Sequence, residues 1–302
     1  MKTPDDPRRF DVRARAKVNL ALEILRKRRD GYHEIETILQ SIELYDRLDI
    51  EINRSGRVVI TCSDPDIPTD ESNLCHRAIE KMRPHIGDDL GAVIHIEKHI
   101  PPNAGLGGGS SDAAAAILAA ARASGLDLSP AQLEGVAAEV GSDVPFMLYG
   151  GTMFARGRGE LLTKLTPLRR GNFLIVKPPV DISTAWAYKN VNFQLTKHRY
   201  RFNLKAVNAL LARFPDVTLS FRNALEDVVC PSYPLVYEVL EELLASRPYV
   251  ASMSGSGSAI FAIYESEARA SQLAERFSVR GFFTAVAKPS PRAVDLNPAE
   301  AR

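Results

Sequence analysis

From Arg13 to Leu25 apolar and polar residues alternate, with Val18, Leu20, Leu22 and Ile24 on one side and Lys17, Asn19, Ala21 and Glu23 on the other. A period of two over this length predicts a half-buried strand and sets Lys17 and Asn19 side by side on its polar face. Asp30-Gly31 is a turn signal and Glu34 to Ile52 reads as further strand, so Arg26-Lys27-Arg28-Arg29 marks a solvated hairpin tip. Val93 to Ile100 alternates again; its shared face of His95, Glu97 and His99 is that of a solvated strand and needs no metal. A helix from about Ser111 stops near Gly125, and Ser129-Pro130-Ala131-Gln132 opens another through a capping box, ended by Gly141. Past the turn residues Gly150-Gly151 and Thr163–Gly171 come a strand (Phe173–Lys177), helical segments around Leu204–Phe214 and Leu235–Leu244, a strand (Ala259–Tyr264) and a helix (Glu265–Phe277). Pro289 to Arg302 is polar and proline-bearing and reads as a loose tail.

A chain of 302 residues can bury a large core, and the turn-rich segment divides it into domains over residues 10–165 and 166–290, with 291–302 as tail. A net charge of +1 argues against a nucleic-acid partner. No apolar run is long enough to span a membrane, and Met1–Arg9 is polar, unlike a secretory signal. Cys62, Cys75 and Cys230 share no metal or redox spacing, which fits reduced thiols in a cytoplasmic protein.

The chemistry is concentrated in Pro101-Pro102-Asn103-Ala104-Gly105-Leu106-Gly107-Gly108-Gly109-Ser110-Ser111-Asp112, which runs into Ala113–Ala116. Glycines let a backbone pass close to another group, and the alanines that follow have the highest helix propensity. A glycine loop opening a helix gathers unpaired N–H groups at the positive end of the helix dipole, which is an anion site and most often a phosphate site. It is no P-loop, since the chain contains no Gly-Lys pair; nor a dinucleotide fingerprint, since Ser110 stands where its last glycine belongs. The His-Arg-Asp and Asp-Phe-Gly motifs of protein kinases are absent.

Four segments call for one explanation: Ala16-Lys17-Val18-Asn19-Leu20, the glycine loop, Gly141-Ser142-Asp143-Val144-Pro145, and Ser252-Met253-Ser254-Gly255-Ser256-Gly257-Ser258-Ala259. Singly, Lys17 reads as a surface lysine, Asp143 as a helix cap and the last segment as a strand-entry turn. Together they resemble the three motifs of the GHMP kinases, over about Val12 to Pro289. Ala16–Leu20 followed by Asp30-Gly31-Tyr32-His33-Glu34, and Gly141 to Phe146, are similar to the branch that phosphorylates 4-diphosphocytidyl-2-C-methyl-D-erythritol on the non-mevalonate route to isopentenyl diphosphate. Asn103 departs from the family loop, which carries glycine there; asparagine tolerates the left-handed region best among the other residues, so the turn survives.

The resemblance implies an α+β fold of two domains, the first like ribosomal protein S5 domain 2 and the second ferredoxin-like, with the site in the cleft between them. It implies transfer of the γ-phosphoryl group of ATP to the substrate's 2-hydroxyl. The loop from Pro101 to Ser111 would hold the ATP phosphates, Leu74 and Lys98 would line the adenine pocket, and Mg²⁺ would arrive with the nucleotide rather than in a protein cage. Lys17 and Asp143 would be the catalytic pair, with two roles open to Asp143: general base, or positioner of the hydroxyl. Asn19, Tyr32, His33, Thr184, Tyr188, Gly255 and Gly257 would contact the cytidine-linked acceptor, as monomer or homodimer. A homoserine or mevalonate type of GHMP kinase would leave Tyr32, His33 and Tyr188 idle, and a non-catalytic GHMP-fold sensor has no need of both Lys17 and Asp143.

Overall fold

The computed structural model describes residues 7–191, 201–219 and 221–299. One long hairpin organises the first half: β1 (Arg8–Lys27) and β2 (His33–Asn53) pair from Arg8↔Ile52 to Lys27↔His33. The Arg28 N–H donates to the Tyr32 carbonyl at 2.8 Å, and the Arg28 side chain pairs with Asp30 and Glu34, so the basic run does lie at a hairpin tip. Then follow β3 (Val58–Cys62), α1 (Leu74–Ile86), β4 (Gly91–Glu97), α2 (Gly108–Ser124), α3 (Pro130–Val140), α4 (Val144–Tyr149), β5 (Thr152–Gly157) and β6 (Leu161–Lys164). With β1 along one edge, β2 takes two neighbours on the other: β4 along Arg47–Asn53 and β5 along Ile35–Gln40. α1, α2 and α4 contact this sheet and α3 packs on those helices; α2 buries Ala113–Ala116, Ala119 and Ala120, whose small side chains let the helix lie close to the strands.

The second half runs β7 (Asn172–Lys177), α5 (Thr184–Lys189), α6 (Leu204–Arg213), α7 (Glu226–Ser232), α8 (Pro234–Ala245), β8 (Val250–Met253), β9 (Ile260–Tyr264), α9 (Glu267–Ser278) and β10 (Phe283–Ala287). Its sheet has the order β10-β7-β9-β8, all antiparallel. With helices between the first two strands and before the last, this is the ferredoxin-like arrangement. Segment 222–224 crosses back to the first half: the Leu22 N–H donates to the Arg222 carbonyl and the Ala224 N–H to the Leu22 carbonyl, at 2.9 and 2.8 Å.

Two expectations need correction. β1 is half-buried only up to Arg13; from Ala14 to Ile24 both faces are covered, and Lys17 and Asn19 are buried rather than on a solvated face. The cause is that helices pack against one face of the hairpin and the second half of the chain against the other, which a local pattern does not reveal. The tail, in turn, is not loose: β11 (Val294–Pro298) pairs with β1 from Ala14↔Val294 to Phe10↔Pro298 as the edge of the first sheet. An edge strand with one wet face needs few apolar residues, and here Val294 and Leu296 suffice to dock on the core. Residues 1–6 and 300–302 of the terminal readings lie outside the described residues.

β11 also answers a charge. The Arg15 guanidinium is buried and donates to Glu43 at 2.8 Å and to Asp295 at 2.5 Å. Asp295→Ala takes one carboxylate from a buried cation, which costs about 2 kcal/mol and lowers Tm by roughly 4–8 °C. Thermal unfolding of the variant checks this, and an unchanged Tm would show that the ion pair does not hold the strand.

Candidate active site

Lys17 rises from the buried stretch of β1 with 3% of its surface exposed. Its ammonium donates to Asn19 Oδ1 at 2.6 Å and stands 3.4 Å from Asp143 Oδ2. Asn19 is itself fixed: its backbone N–H donates to Ser254 Oγ (3.2 Å), and its side-chain amide to Thr37 Oγ1 (2.9 Å). Asp143 is the residue before α4, yet its carboxylate makes no cap bond to that helix, and its side chain is 36% exposed. A carboxylate in a cleft, paired with a buried ammonium and without a cap bond, is suited to accept a proton from a substrate hydroxyl.

The glycine loop passes directly above. Asn103 has φ 52°, the left-handed conformation in which asparagine replaces glycine at least cost. α2 begins at Gly108, earlier than the sequence suggests, with Gly107 (φ 71°) as its cap; its first helical bond is Ser111 N–H to the Gly107 carbonyl at 2.9 Å. The N–H groups of Gly108, Gly109 and Ser110 therefore have no intrahelical acceptor and are free for an anion. A Cβ on Gly107 would stand 2.5 Å from Met147 Cε and 3.1 Å from Lys17 Cγ, so this glycine lets the loop rest on Lys17. The middle of the loop is pinned to the second half of the chain by Ser254 Oγ donating to the Gly105 carbonyl (2.8 Å) and Ala259 N–H donating to the Ala104 carbonyl (3.2 Å).

A cleft of about 1030 Å³ runs along these groups. Leu74 approaches Gly109, Lys98 approaches Gly108 and Lys17 lies under Gly107, which orders that side of the cleft. Ile67, Pro68 and Asn73 add to the lining on the side of Leu74, with the Asn73 side-chain amide donating to the Pro68 carbonyl at 2.6 Å. Beyond Asp143 the walls are aromatic: His33 and Tyr188 lie with ring centroids 5.3 Å apart, and Arg158 stands 5.0 Å over the Tyr32 ring. Burial and nearby Lys27 push the His33 imidazole below its usual pKa, toward the neutral form. Burial, with Asp143 adding to it, pushes the Tyr188 phenol up.

The structure thus brings Lys17, Asn19, Tyr32, His33, Leu74, Lys98, Pro101 to Ser110, Asp143, Thr184, Tyr188 and Gly255 to one cleft. Ser111 and Gly257 are not among its lining residues. Ser111 falls on the inner side of α2, fully buried, with its hydroxyl lacking a hydrogen-bond partner. Gly257 supports the second glycine turn from behind, where a Cβ would meet Met253 Sδ at 2.6 Å. Thr184 bonds Ser256 across the rim at 2.8 Å. The ammonium of Lys98 is held by Asp46 and Asp112. Ile67, Pro68, Lys27, Arg158 and Lys189 line the cleft without a motif to announce them; only the basic hairpin tip and the Gly-Arg-Gly turn at 157–159 hint at two of them. Among the described residues no group of three or more His, Cys, Asp or Glu is arranged to hold a metal, and no helix is long and apolar enough to cross a membrane.

The chain is similar to known proteins in sequence and fold. Residues 73–151 match the model of the GHMP kinases N terminal domain, and residues 201–281 that of the GHMP kinases C terminal. The 4-diphosphocytidyl-2-C-methyl-D-erythritol kinase of Pelotomaculum thermopropionicum is 40% identical over 264 residues, covering 87% of this chain and 92% of that protein. The one from Chlorobaculum tepidum is 41% identical over 274 residues, covering 90% and 94%. A crystal structure of 4-(cytidine 5'-diphospho)-2C-methyl-D-erythritol kinase superposes with a TM-score of 0.76 at 32% identity, covering 92% of this chain and 99% of that one.

Gly107→Ala places a methyl group against Met147 and Lys17 in a backbone conformation that L-residues rarely adopt. The folded variant is expected to bind ATP at least tenfold more weakly, because the first turn of α2 must shift. Calorimetric titration with a non-hydrolysable ATP analogue tests this; unchanged affinity would mean that the loop does not hold the nucleotide.

Proposed function

The chain belongs to the GHMP kinase family, and we propose that it transfers the γ-phosphoryl group of ATP to the 2-hydroxyl of 4-diphosphocytidyl-2-C-methyl-D-erythritol, in the cytoplasm, on the way to isopentenyl diphosphate. The observation that carries this reading is the layout of a single cleft: Lys17 and Asp143 stand between a glycine-capped helix N-terminus and an aromatic wall of Tyr32, His33 and Tyr188. The kinship of about 40% over most of the chain agrees with it.

Phosphoryl transfer asks a protein for positioning and for relief of charge on the transferred group. In this reading the N–H groups of Gly108, Gly109 and Ser110 hold the phosphates, and the side of the cleft lined by Leu74, Ile67 and Pro68 takes the adenine. The substrate hydroxyl lies against Asp143; as its oxygen bonds to the γ-phosphorus and the bond to the β-phosphate oxygen breaks, its proton passes to the Asp143 carboxylate and ADP leaves. Lys17, fixed by Asn19 at 2.6 Å, holds that carboxylate in place and favours negative charge on the attacking oxygen. Mg²⁺ bound with the nucleotide would neutralise phosphate charge. The Ser110 hydroxyl in the cleft wall is an oxygen donor of the kind this hard cation takes. Cytosine fits between Tyr188 and Tyr32, and a neutral His33 can read its polar edge by donating or accepting a hydrogen bond.

Phosphorus NMR of ATP with a panel of alcohols, the cytidine-linked one included, tests the assignment directly; turnover of homoserine or mevalonate instead would overturn it. Asp143→Asn is expected to lower kcat by about 10²–10⁴-fold while ATP affinity stays within a few-fold, and a variant keeping more than about a tenth of wild-type turnover would remove Asp143 from the chemistry. His33→Ala should raise KM for the cytidine-linked acceptor by roughly 3- to 100-fold and leave KM for ATP unchanged. It should also narrow the preference for cytidine over uridine, which competition between the two linked acceptors would reveal.

A further inference from the structure

One cluster of charges lies outside the chemistry just described. Asp46, on β2, has no exposed surface and does not line the cleft. Its Oδ1 accepts from the backbone N–H groups of His99 (2.6 Å) and Ile100 (2.8 Å), and its Oδ2 accepts from Lys98 Nζ at 2.5 Å. The same ammonium donates to Asp112 Oδ2 at 2.9 Å, within α2. Both partners are almost fully buried, the Lys98 side chain at 6% exposure and that of Asp112 at 4%. A Cβ on Gly108 would lie 3.0 Å from Ile100 and 3.1 Å from Lys98 Nζ, so the cluster sits immediately beneath the first turn of the helix.

We propose that Asp46, Lys98 and Asp112 form a positioning tie that clamps the two ends of the glycine loop and so sets the geometry of its phosphate-binding N–H groups. This rests on the reading of the loop as the ATP site. The chain enters the loop through residues 98–100 and leaves it through α2; the tie joins both places to β2, which supplies the rigid base. Its chemistry suits alignment better than stability. Buried ion clusters lose much of their attraction to desolvation, and apolar packing of the same volume would hold the elements together at least as well. Charged hydrogen bonds, however, fix direction and distance in a way that apolar contacts do not. The flanking carboxylates hold the Lys98 ammonium above its usual pKa, while burial and the neighbouring Asp46 push the Asp112 carboxyl up. Lys98 therefore acts on the nucleotide through the backbone it positions, with its charge already committed to the protein.

Asp46 provides the clean test because it has no surface in the cleft. Asp46→Asn keeps the Oδ1 acceptor for the two N–H groups but loses the charge and sets a donor NH₂ where Oδ2 accepted from Lys98, whereas Asp46→Ala loses all of these contacts. On the full chain, KM for ATP is expected to rise about tenfold in the first and about a hundredfold in the second, the range of lost charge-assisted hydrogen bonds. KM for the cytidine-linked acceptor should stay within about twofold in both. Titration with a non-hydrolysable ATP analogue, alongside Tm, separates positioning from simple loss of fold. Folded variants that bind the analogue like wild type, or whose two KM values rise together, would overturn the tie. Wild-type protein that fails to bind the analogue would overturn the ATP reading instead. If Asp46→Ala does not fold, Asp46→Asn alone decides.

Discussion

Where Gly105 passes Ser254 the two halves of the chain meet backbone to backbone. A Cβ on Gly105 would stand 2.0 Å from the Ser254 carbonyl oxygen, closer than any side chain permits. Because this contact is possible, Ser254 can reach both the Gly105 carbonyl and the Asn19 N–H with one hydroxyl, and Asn19 can present its amide to Lys17. The second glycine turn is fixed from its own side as well, since Asn223 donates to the carbonyls of Met253 and Gly255. A displacement at this junction would be felt by the loop, the lysine and the aromatic wall together.

The consequence for chemistry is a division of labour along one cleft. The first half of the chain supplies the loop, the lysine and Asp143; the second supplies Tyr188, Thr184 and the turn at Gly255. Lys17 lies at the seam, buried and bonded to Asn19, so its position is set by β1 and its surroundings by both halves. Side chains on strands and helix ends locked in this way hold reacting groups at fixed separation, which is where most of the rate gain in phosphoryl transfer arises.

Much of this was legible in the sequence where the signal was local. The β1–β2 hairpin followed from alternation and Asp30-Gly31, and α3 from its capping box, whose bonds between Ser129 and Gln132 are formed. The sequence reading does not include α1, although its buried residues Cys75, Ala78, Ile79 and Met82 fall at the i, i+3, i+4, i+7 spacing of an amphipathic helix; Pro84 lies within it. Its cap is Asn73, whose side chain accepts from the Cys75 N–H. The resemblance places Lys98 in the adenine pocket, and it does line the cleft; that Asp46 holds its ammonium is not legible, because nothing in the pattern of β2 marks Asp46 as facing inward. A helix begun at Ser111 leaves that hydroxyl at the loop, whereas α2 begun at Gly108 turns Ser111 to its inner, buried side.

β11 gives the molecule a particular response to mechanical load. Phe10 lies opposite Pro298, and the Ala299 N–H donates to the Arg9 carbonyl at 2.9 Å, so the two ends of the described chain are neighbours on one sheet edge. A force drawing these ends apart would act across the ladder and open it one rung at a time, from Phe10↔Pro298 inward, rather than shearing all rungs at once. The opening would run toward the ion pair of Arg15 with Asp295, at the inner end of this ladder.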